Sequence, residues 1–398
     1  MEKELAAIRR WEGTVRALVD WDLDGAQQRH ERSGGGPLSG WSLGVKDIID
    51  VQGMPTRCNV DFLPETPARE HAGVVERLLS LGAFVLSKTV TTSLAFLDPG
   101  ATRNPWNPSH TPGGSSSGSA AAVACGMVRL GLGSQTVASV NRPASYCGVT
   151  GFKPTYGRLP VTGVFPFSPS VDTVGLFTRG VFDMVKAASA LLGEPAAGEP
   201  GRLSIGLAPD LHTEPAGDVM LRALSQAGDR LAAGGCEVRT VSLPEECARA
   251  YRNHFDLIAS EGARGQAELM ARHGDRYPPK LRALLLEGRA VTSEDLDRIQ
   301  EHRRGLTVRM SALLDEVDLV LSPSAEGAAH RALAITGDPR FSLLWTYTGC
   351  PTVTLPAALS PEGLPLGLQL SARPMADAAL LAAARKVESL LGFDARPG

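Results

Sequence analysis

Apolar residues recur at helical spacing over 2–20, where Leu5, Ile8, Trp11, Val15 and Leu18 share one face. The pattern predicts an amphipathic helix lying on the body of the protein. After a Gly-rich loop at 33–37, a nearly continuous apolar run over 43–51 predicts a strand with Lys46 inside it. Helical spacing returns over 72–82 and stops at Gly82, and a strand is predicted at 83–87. Further strands are predicted at 204–208, 236–242, 319–322 and 352–355. Helices are predicted over about 217–233 and 376–392, the latter closed by Gly392, and 246–315 is charged and helical in pattern. This strand–helix rhythm predicts an α/β layered fold. The Gly/Pro/Glu-rich patch at 193–201 is the best internal linker, but one large domain spanning 1–398, with a mostly helical insertion at about 243–318, is preferred over two.

Composition narrows the function. Hydrophobic residues at 43% against 21% charged support a sizeable core and exclude a disordered chain. Lys and Arg number 40 against 43 Asp and Glu, so there is no basic excess and no nucleic-acid partner is expected. Six cysteines without a CxxC pair read as scattered reduced thiols, and eight histidines without HExxH spacing point to no metal. Charges begin at Glu2, no signal-peptide core follows, and no run approaches ~18 apolar residues, so a cytoplasmic protein without a membrane partner is expected.

Glycine is where the composition departs from average. Between Gly113 and Gly151 there are 8 glycines in 39 residues, against 43 in 398, so the density there is nearly doubled. The tract 112–124 (PGGSSSGSAAAVA) could be a flexible linker, but helix-forming apolar residues follow it directly. A phosphate loop would need GxxxxGK[ST] or GxGxxG, and both are absent. Gly114-Ser115-Ser116-Ser117-Gly118 does match GxSxG, which would make Ser116 the nucleophile of an α/β-hydrolase-type esterase. That pattern is short, and no histidine stands in a special context to complete it.

A wider constellation covers more residues. Gly44-Val45-Lys46-Asp47, the Gly/Ser tract, Gly133-Ser134-Gln135-Thr136-Val137-Ala138-Ser139 and Cys147-Gly148-Val149-Thr150-Gly151-Phe152-Lys153-Pro154 occur in this order. With Thr102-Arg103-Asn104-Pro105-Trp106-Asn107, Asp172-Thr173-Val174-Gly175, Thr348-Gly349-Cys350-Pro351 and 363–369, they resemble the amidase signature family of serine hydrolases. The resemblance places a catalytic core at about 37–190 and 335–392 and reaches the middle only in outline. It implies a mixed, twisted sheet covered by helices on both faces. It also implies amide hydrolysis through an acyl-enzyme, on a small-molecule amide, with no cofactor.

The family's Ser–cis-Ser–Lys set falls on Ser139 as nucleophile, Ser115 as the bridging cis-serine and Lys46 as base. The physical requirement is general: a serine hydroxyl needs a base, and a lysine is one only when neutral. Burial lowers its pKa, and an apolar strand supplies burial. Asp47, next on the strand, would point to the other face. The oxyanion hole falls on the amides of Thr136, Val137, Ala138 and Ser139. A Gly-Gly pair is usual where this chain has Val137-Ala138. The loop is therefore remodelled, the acyl pocket narrowed, or activity reduced. Ser116, Arg142, Asp172, Trp345 and Tyr347 are candidates for support or substrate binding, Arg142 for a substrate carboxylate. Two further alternatives stay open, an amidase-fold binding protein with impaired catalysis and the catalytic subunit of an amidotransferase. A homodimer is open as the assembly.

Overall fold

The apolar run around Lys46 forms a strand, Ser42–Lys46, buried along its whole length. The computed structural model describes residues 1–195 and 197–398. In it that strand belongs to an 11-stranded sheet. In chain order the strands are β1 (Leu18–Asp20), β2 (Ser42–Lys46), β3 (Phe84–Thr89), β4 (Leu130–Gln135), β5 (Thr150–Lys153), β6 (Thr173–Thr178), β7 (Ser204–Leu207), β8 (Glu237–Thr240), β9 (Leu319–Pro323), β10 (Thr352–Leu359) and β11 (Pro365–Ser371). Across the sheet they lie in the order β1-β3-β2-β4-β6-β5-β10-β11-β9-β7-β8. β2 is parallel to β3 and β4, and β7 to β8 and β9. From β4 through to β9 every pairing is antiparallel.

Strands buried on both faces need cover on both. Val85 joins one apolar cluster with Leu43, Val45 and Leu132, while its neighbours Phe84 and Leu86 join a second with Ile8, Val15 and Val123. The period-two alternation of β3 thus feeds two cores, one on each side. The chain is a single α/β domain with a large mixed sheet flanked by helices. β7 follows the 193–201 patch and enters the same sheet; Ala196 of that patch lies outside the described residues. The charged middle forms the helices Cys247–Gly265, Ala267–His273, Pro279–Gly288 and Ser293–Glu316. The first of these packs on Pro279–Gly288 and on Arg340–Tyr347. No helix among the described residues is long and apolar enough to cross a membrane.

Two boundaries differ from the periodicity. The first helix ends at Val15, because Arg16 turns left-handed (φ 53°) and the Glu12 carboxylate accepts from the Ala17 and Leu18 N–H groups at 3.0 and 3.1 Å. Leu18 therefore sits on the edge strand β1 instead of the helix. The strand expected over 43–51 stops at Lys46, since Ile48 and Ile49 both donate back to the Lys46 carbonyl at 2.7 and 2.9 Å. Apolar continuity had hidden that turn.

The helix Ser117–Cys125 begins against the chain that joins β3 to the next loop. Gly118 N–H donates to Val90 O at 2.9 Å, and a Cβ on Gly118 would lie 2.3 Å from Ala17 O and 2.4 Å from Val90 N. Backbone atoms cannot swing aside as a side chain can. Gly118→Ala is expected to cost about 1–3 kcal/mol or more, read as a lower urea midpoint. Gly265→Ala, which meets nothing within 4 Å, should leave that midpoint nearly unchanged.

Candidate active site

β2 and β4 run parallel with Val45 opposite Leu132, so their carboxyl ends finish side by side. Sites in α/β sheets gather at such ends. Lys46 closes β2, and Ser134 and Gln135 close β4. Lys46 is fully buried, and its Nζ lies 2.7 Å from Ser115 Oγ and 2.9 Å from Ser134 Oγ. Burial pulls its pKa down to about 7, against the opposing pull of the Asp172 charge. Asp47 does not neutralise that effect, because its carboxylate, also buried, pairs with Lys88 Nζ at 3.1 Å.

Ser115 reaches the lysine from a loop held at both of its carbonyls. The Gly114–Ser115 peptide is cis. Gly114 O accepts from Arg142 Nη2 at 2.7 Å, and Ser115 O accepts from Thr92 N–H at 3.2 Å. Ser116 is buried, and its hydroxyl is spent on the backbone of Ser134, donating to the carbonyl at 3.2 Å and accepting from the N–H at 3.3 Å. Its role is to join the serine tract to β4, which removes the basis for treating it as an esterase nucleophile.

The loop 136–140 links β4 to the helix Asn141–Cys147, and side chains fasten it from several directions. Gln135 Oε1 accepts from the Val140 and Asn141 N–H groups at 2.7 and 3.1 Å, capping the helix, while its Nε2 donates to Thr346 Oγ1 at 2.9 Å. Thr136 Oγ1 donates to Asp172 Oδ1 at 2.6 Å, and Asp172 Oδ2 accepts from the Phe167 and Ser168 N–H groups, both at 2.8 Å. Burial raises the Asp172 pKa to about 6, with these three hydrogen bonds opposing and the nearby Glu261 adding to the rise. Thr346 Oγ1 lies 2.8 Å from Val137 O, Ala138 O accepts from Arg142 N–H at 3.0 Å, and His254 Nε2 lies 2.8 Å from Thr136 O. Among the described residues, the N–H groups of Val137, Ala138 and Ser139 donate to no protein acceptor.

Val137 and Ala138 are not among the residues with positive φ. The backbone of this loop therefore does not require glycine, and what Val137 changes is space. Its half-buried side chain lines a cavity together with Ala138, Ser139 and Arg142. Phe96, Phe167, Phe255 and Ile258 are among its other walls, with the Phe96 and Phe167 rings stacked at 5.6 Å. About 20 Å³ is open inside, room for about one water. A larger cleft of about 900 Å³ lies beside Trp21, Arg29 and Val85 and touches neither Lys46, Ser115 nor Ser139.

The family model described as Amidase matches residues 5–381. The chain belongs to the amidase family. It is 32% identical to 2-amino-5-chloromuconic acid deaminase of Comamonas testosteroni, over 98% of this chain and 90% of that protein. It is 29% identical to a subunit of the glutamyl-tRNA(Gln) amidotransferase of Synechococcus, over 97% of this chain and 92% of that protein. A solved amidase superposes with a TM-score of 0.86 at 31% identity, covering 98% of this chain and 94% of that one. The fold also matches native peptide amidase from Stenotrophomonas maltophilia, with a TM-score of 0.81, 24% identity and coverage of 99% and 93%. The chain is thus an enzyme of a hydrolase family that acts on carbon–nitrogen amide bonds.

The remaining candidates of this amidase fall into place by contact. Arg142 is buried, with Nη1 on Gly337 O and Nη2 on Gly114 O, both at 2.7 Å, so two of its nitrogens hold loops although the residue also lines the cavity. Trp345 and Tyr347 are fully buried and do not line that cavity. Tyr347 donates its hydroxyl to Ile299 O at 3.1 Å and packs between His254 and His302. Three loop-holding residues carried no assignment from the sequence. Gln135 lies within a matched segment and Thr346 beside Trp345, so both were within reach; His254 lies where the resemblance is only an outline and had no local signal.

Asp172 offers the clearest test of the loop's support. Asp172→Ala strips three donors of their acceptor and is expected to cost at least about 2 kcal/mol and to lower amidase activity at least about tenfold. Asp172→Asn keeps an acceptor for the Phe167 and Ser168 amides and should retain most of the stability. Urea unfolding and steady-state kinetics on the two variants check both statements.

Proposed function

We propose that this amidase hydrolyses small-molecule amides through a Ser139–Ser115–Lys46 relay and an acyl-enzyme. The observation that carries the reading is Lys46: fully buried, with a pKa near 7, and 2.7 Å from the Ser115 hydroxyl. An amine that is about half neutral near pH 7 has a lone pair to offer a hydroxyl proton. Ser115 passes its proton to Lys46 Nζ and takes one from Ser139 Oγ as that oxygen bonds to the substrate carbonyl carbon. The carbonyl π electrons move onto oxygen, and the unpaired amides of Val137, Ala138 and Ser139 receive the resulting oxyanion. When the tetrahedral centre collapses, the carbon–nitrogen bond breaks and the relay returns the proton to the departing nitrogen. A water molecule then attacks the ester, giving one proton to the relay, and Ser139 leaves with it.

The apolar, narrow cavity beside Ser139 supports a compact acyl group. The ordinary backbone of Val137 and Ala138 supports turnover over mere binding, since the loop keeps three free donors without glycine. The similarity to an amidotransferase component makes partner-independence a useful readout.

The test is intact-mass trapping of the acyl-enzyme against a panel of amides and a fluorophosphonate, with no partner protein added. A single adduct on Ser139 and amine or ammonia release are expected. Ser139→Ala should remove the adduct and lower kcat by about 10⁴-fold or more, and Ser115→Ala and Lys46→Ala by about 10²–10⁴-fold. Labelling elsewhere, or none, would sink the proposal. The pH profile follows from the sign of the lysine shift. Lys46 is protonated and inactive as a base below about pH 7, so kcat/KM should fall about tenfold per unit there and level off above.

A further inference from the structure

We propose that His254 is a positioning residue for the oxyanion hole: it fixes the Thr136–Val137 peptide so that the Val137 N–H faces the reacting carbonyl. The inference rests on the reading of Ser139 as nucleophile. His254 is fully buried on the helix Cys247–Gly265, with Nε2 2.8 Å from Thr136 O. A carbonyl oxygen only accepts, so Nε2 carries the proton and Nδ1 is bare. Among the described residues Nδ1 is buried without a partner, so the hydrogen bond to Thr136 is the one polar tie of this ring that they supply. Burial, helped by the Arg303 charge, holds the imidazole pKa down to about 3. The ring therefore stays a neutral donor throughout the range in which Lys46 titrates.

The geometry of the peptide unit turns this contact into a function. In a trans peptide the C=O and N–H point to opposite sides of the chain. Holding Thr136 O from the His254 side sends the Val137 N–H the other way. The next two peptides follow the same plan, with Val137 O held by Thr346 and Ala138 O by the Arg142 N–H. Three successive carbonyls are tied back, and among the described residues the amides of the same peptides, on Val137, Ala138 and Ser139, are left without a protein acceptor, as is the Thr136 N–H before them. Arg142 makes its tie as part of the helix start, and Thr346 belongs to the helix Arg340–Tyr347. Only His254 comes from the helical middle of the chain. Its helix also brings Phe255 and Ile258 to the cavity wall, so the element that shapes the acyl side also aims a donor at the oxyanion.

The test uses the full chain with His254→Leu and His254→Gln, an amide that the wild type turns over, and a boronic acid bearing the same acyl side chain. For His254→Leu, kcat should drop about 10–100-fold with KM within about twofold, and the boronate should bind more weakly by a similar factor. His254→Gln, whose amide N–H can reach Thr136 O, should recover kcat to within about fivefold of wild type. An unchanged kcat in His254→Leu, equal losses in both variants, or a kcat loss with unchanged boronate affinity overturns the role. Should the leucine variant not fold, imidazole ¹⁵N spectra of the wild type decide. The Nε2–H tautomer is expected between about pH 5 and about pH 9, with a shift on boronate binding. An Nδ1–H tautomer, an imidazolium in that range, or no shift on binding overturns the proposal. A wild type that never acylates Ser139 would instead overturn the nucleophile reading itself.

Discussion

An uncharged amine in the protein interior is the condition on which the proposed relay depends. A buried ammonium without a carboxylate is costly, and giving up the proton near pH 7 relieves that cost. The fold must then deny Lys46 a nearby counter-charge. Asp47, its sequence neighbour, leaves the sheet in the turn after β2 and pairs with Lys88. Asp172, whose charge does reach the lysine, is spent on Thr136 and two backbone amides and is itself pushed up by burial. The early end of β2 is thus part of the electrostatics.

The three buried lysines among the described residues differ in their partners. Lys88 keeps a carboxylate partner. Lys153 has none closer than its carbonyl contacts, and its pKa falls to about 8, but its Nζ donates to Cys350 O at 2.6 Å and Pro154 O at 3.0 Å. Carbonyls only accept, so they suit an N–H donor and offer the amine no proton to take. Both partners of Lys46 are hydroxyls, which donate or accept with equal ease. That choice of partner lets the same contact persist in either protonation state, which a proton relay needs.

The α/β class was legible in the strand–helix rhythm, and the segments of Lys46 and Ser115, which the fold brings into contact, stood out because they are local: an apolar run and a glycine cluster. Boundaries were less so. Continuity of apolar residues over 43–51 cannot reveal that two amides fold back onto Lys46 O, and helical spacing through Leu18 cannot reveal that Glu12 captures the next two N–H groups. Ser116 matched a nucleophile pattern, yet its hydroxyl is consumed by Ser134, a partner 18 residues away that no pattern includes. Trp345 and Tyr347 stand beside a matched turn, but the neighbour whose side chain hydrogen-bonds to the loop is Thr346, because successive helix positions face different ways.

The glycine deficit at Val137 and Ala138 shows how the two kinds of information divide. From sequence, glycine at such positions stands for freedom of φ or for room. The structure separates them: φ is ordinary, so only room is at stake, and Val137 takes it from the cavity beside Ser139. A loop of ordinary residues still leaves the Val137, Ala138 and Ser139 amides unpaired among the described residues. The carbonyls of the same peptides are tied to Thr346, to a helix start and to His254. Ties of this kind use one hydrogen-bonding side chain each, placed by tertiary packing on helices remote in sequence. They leave no spacing rule to read.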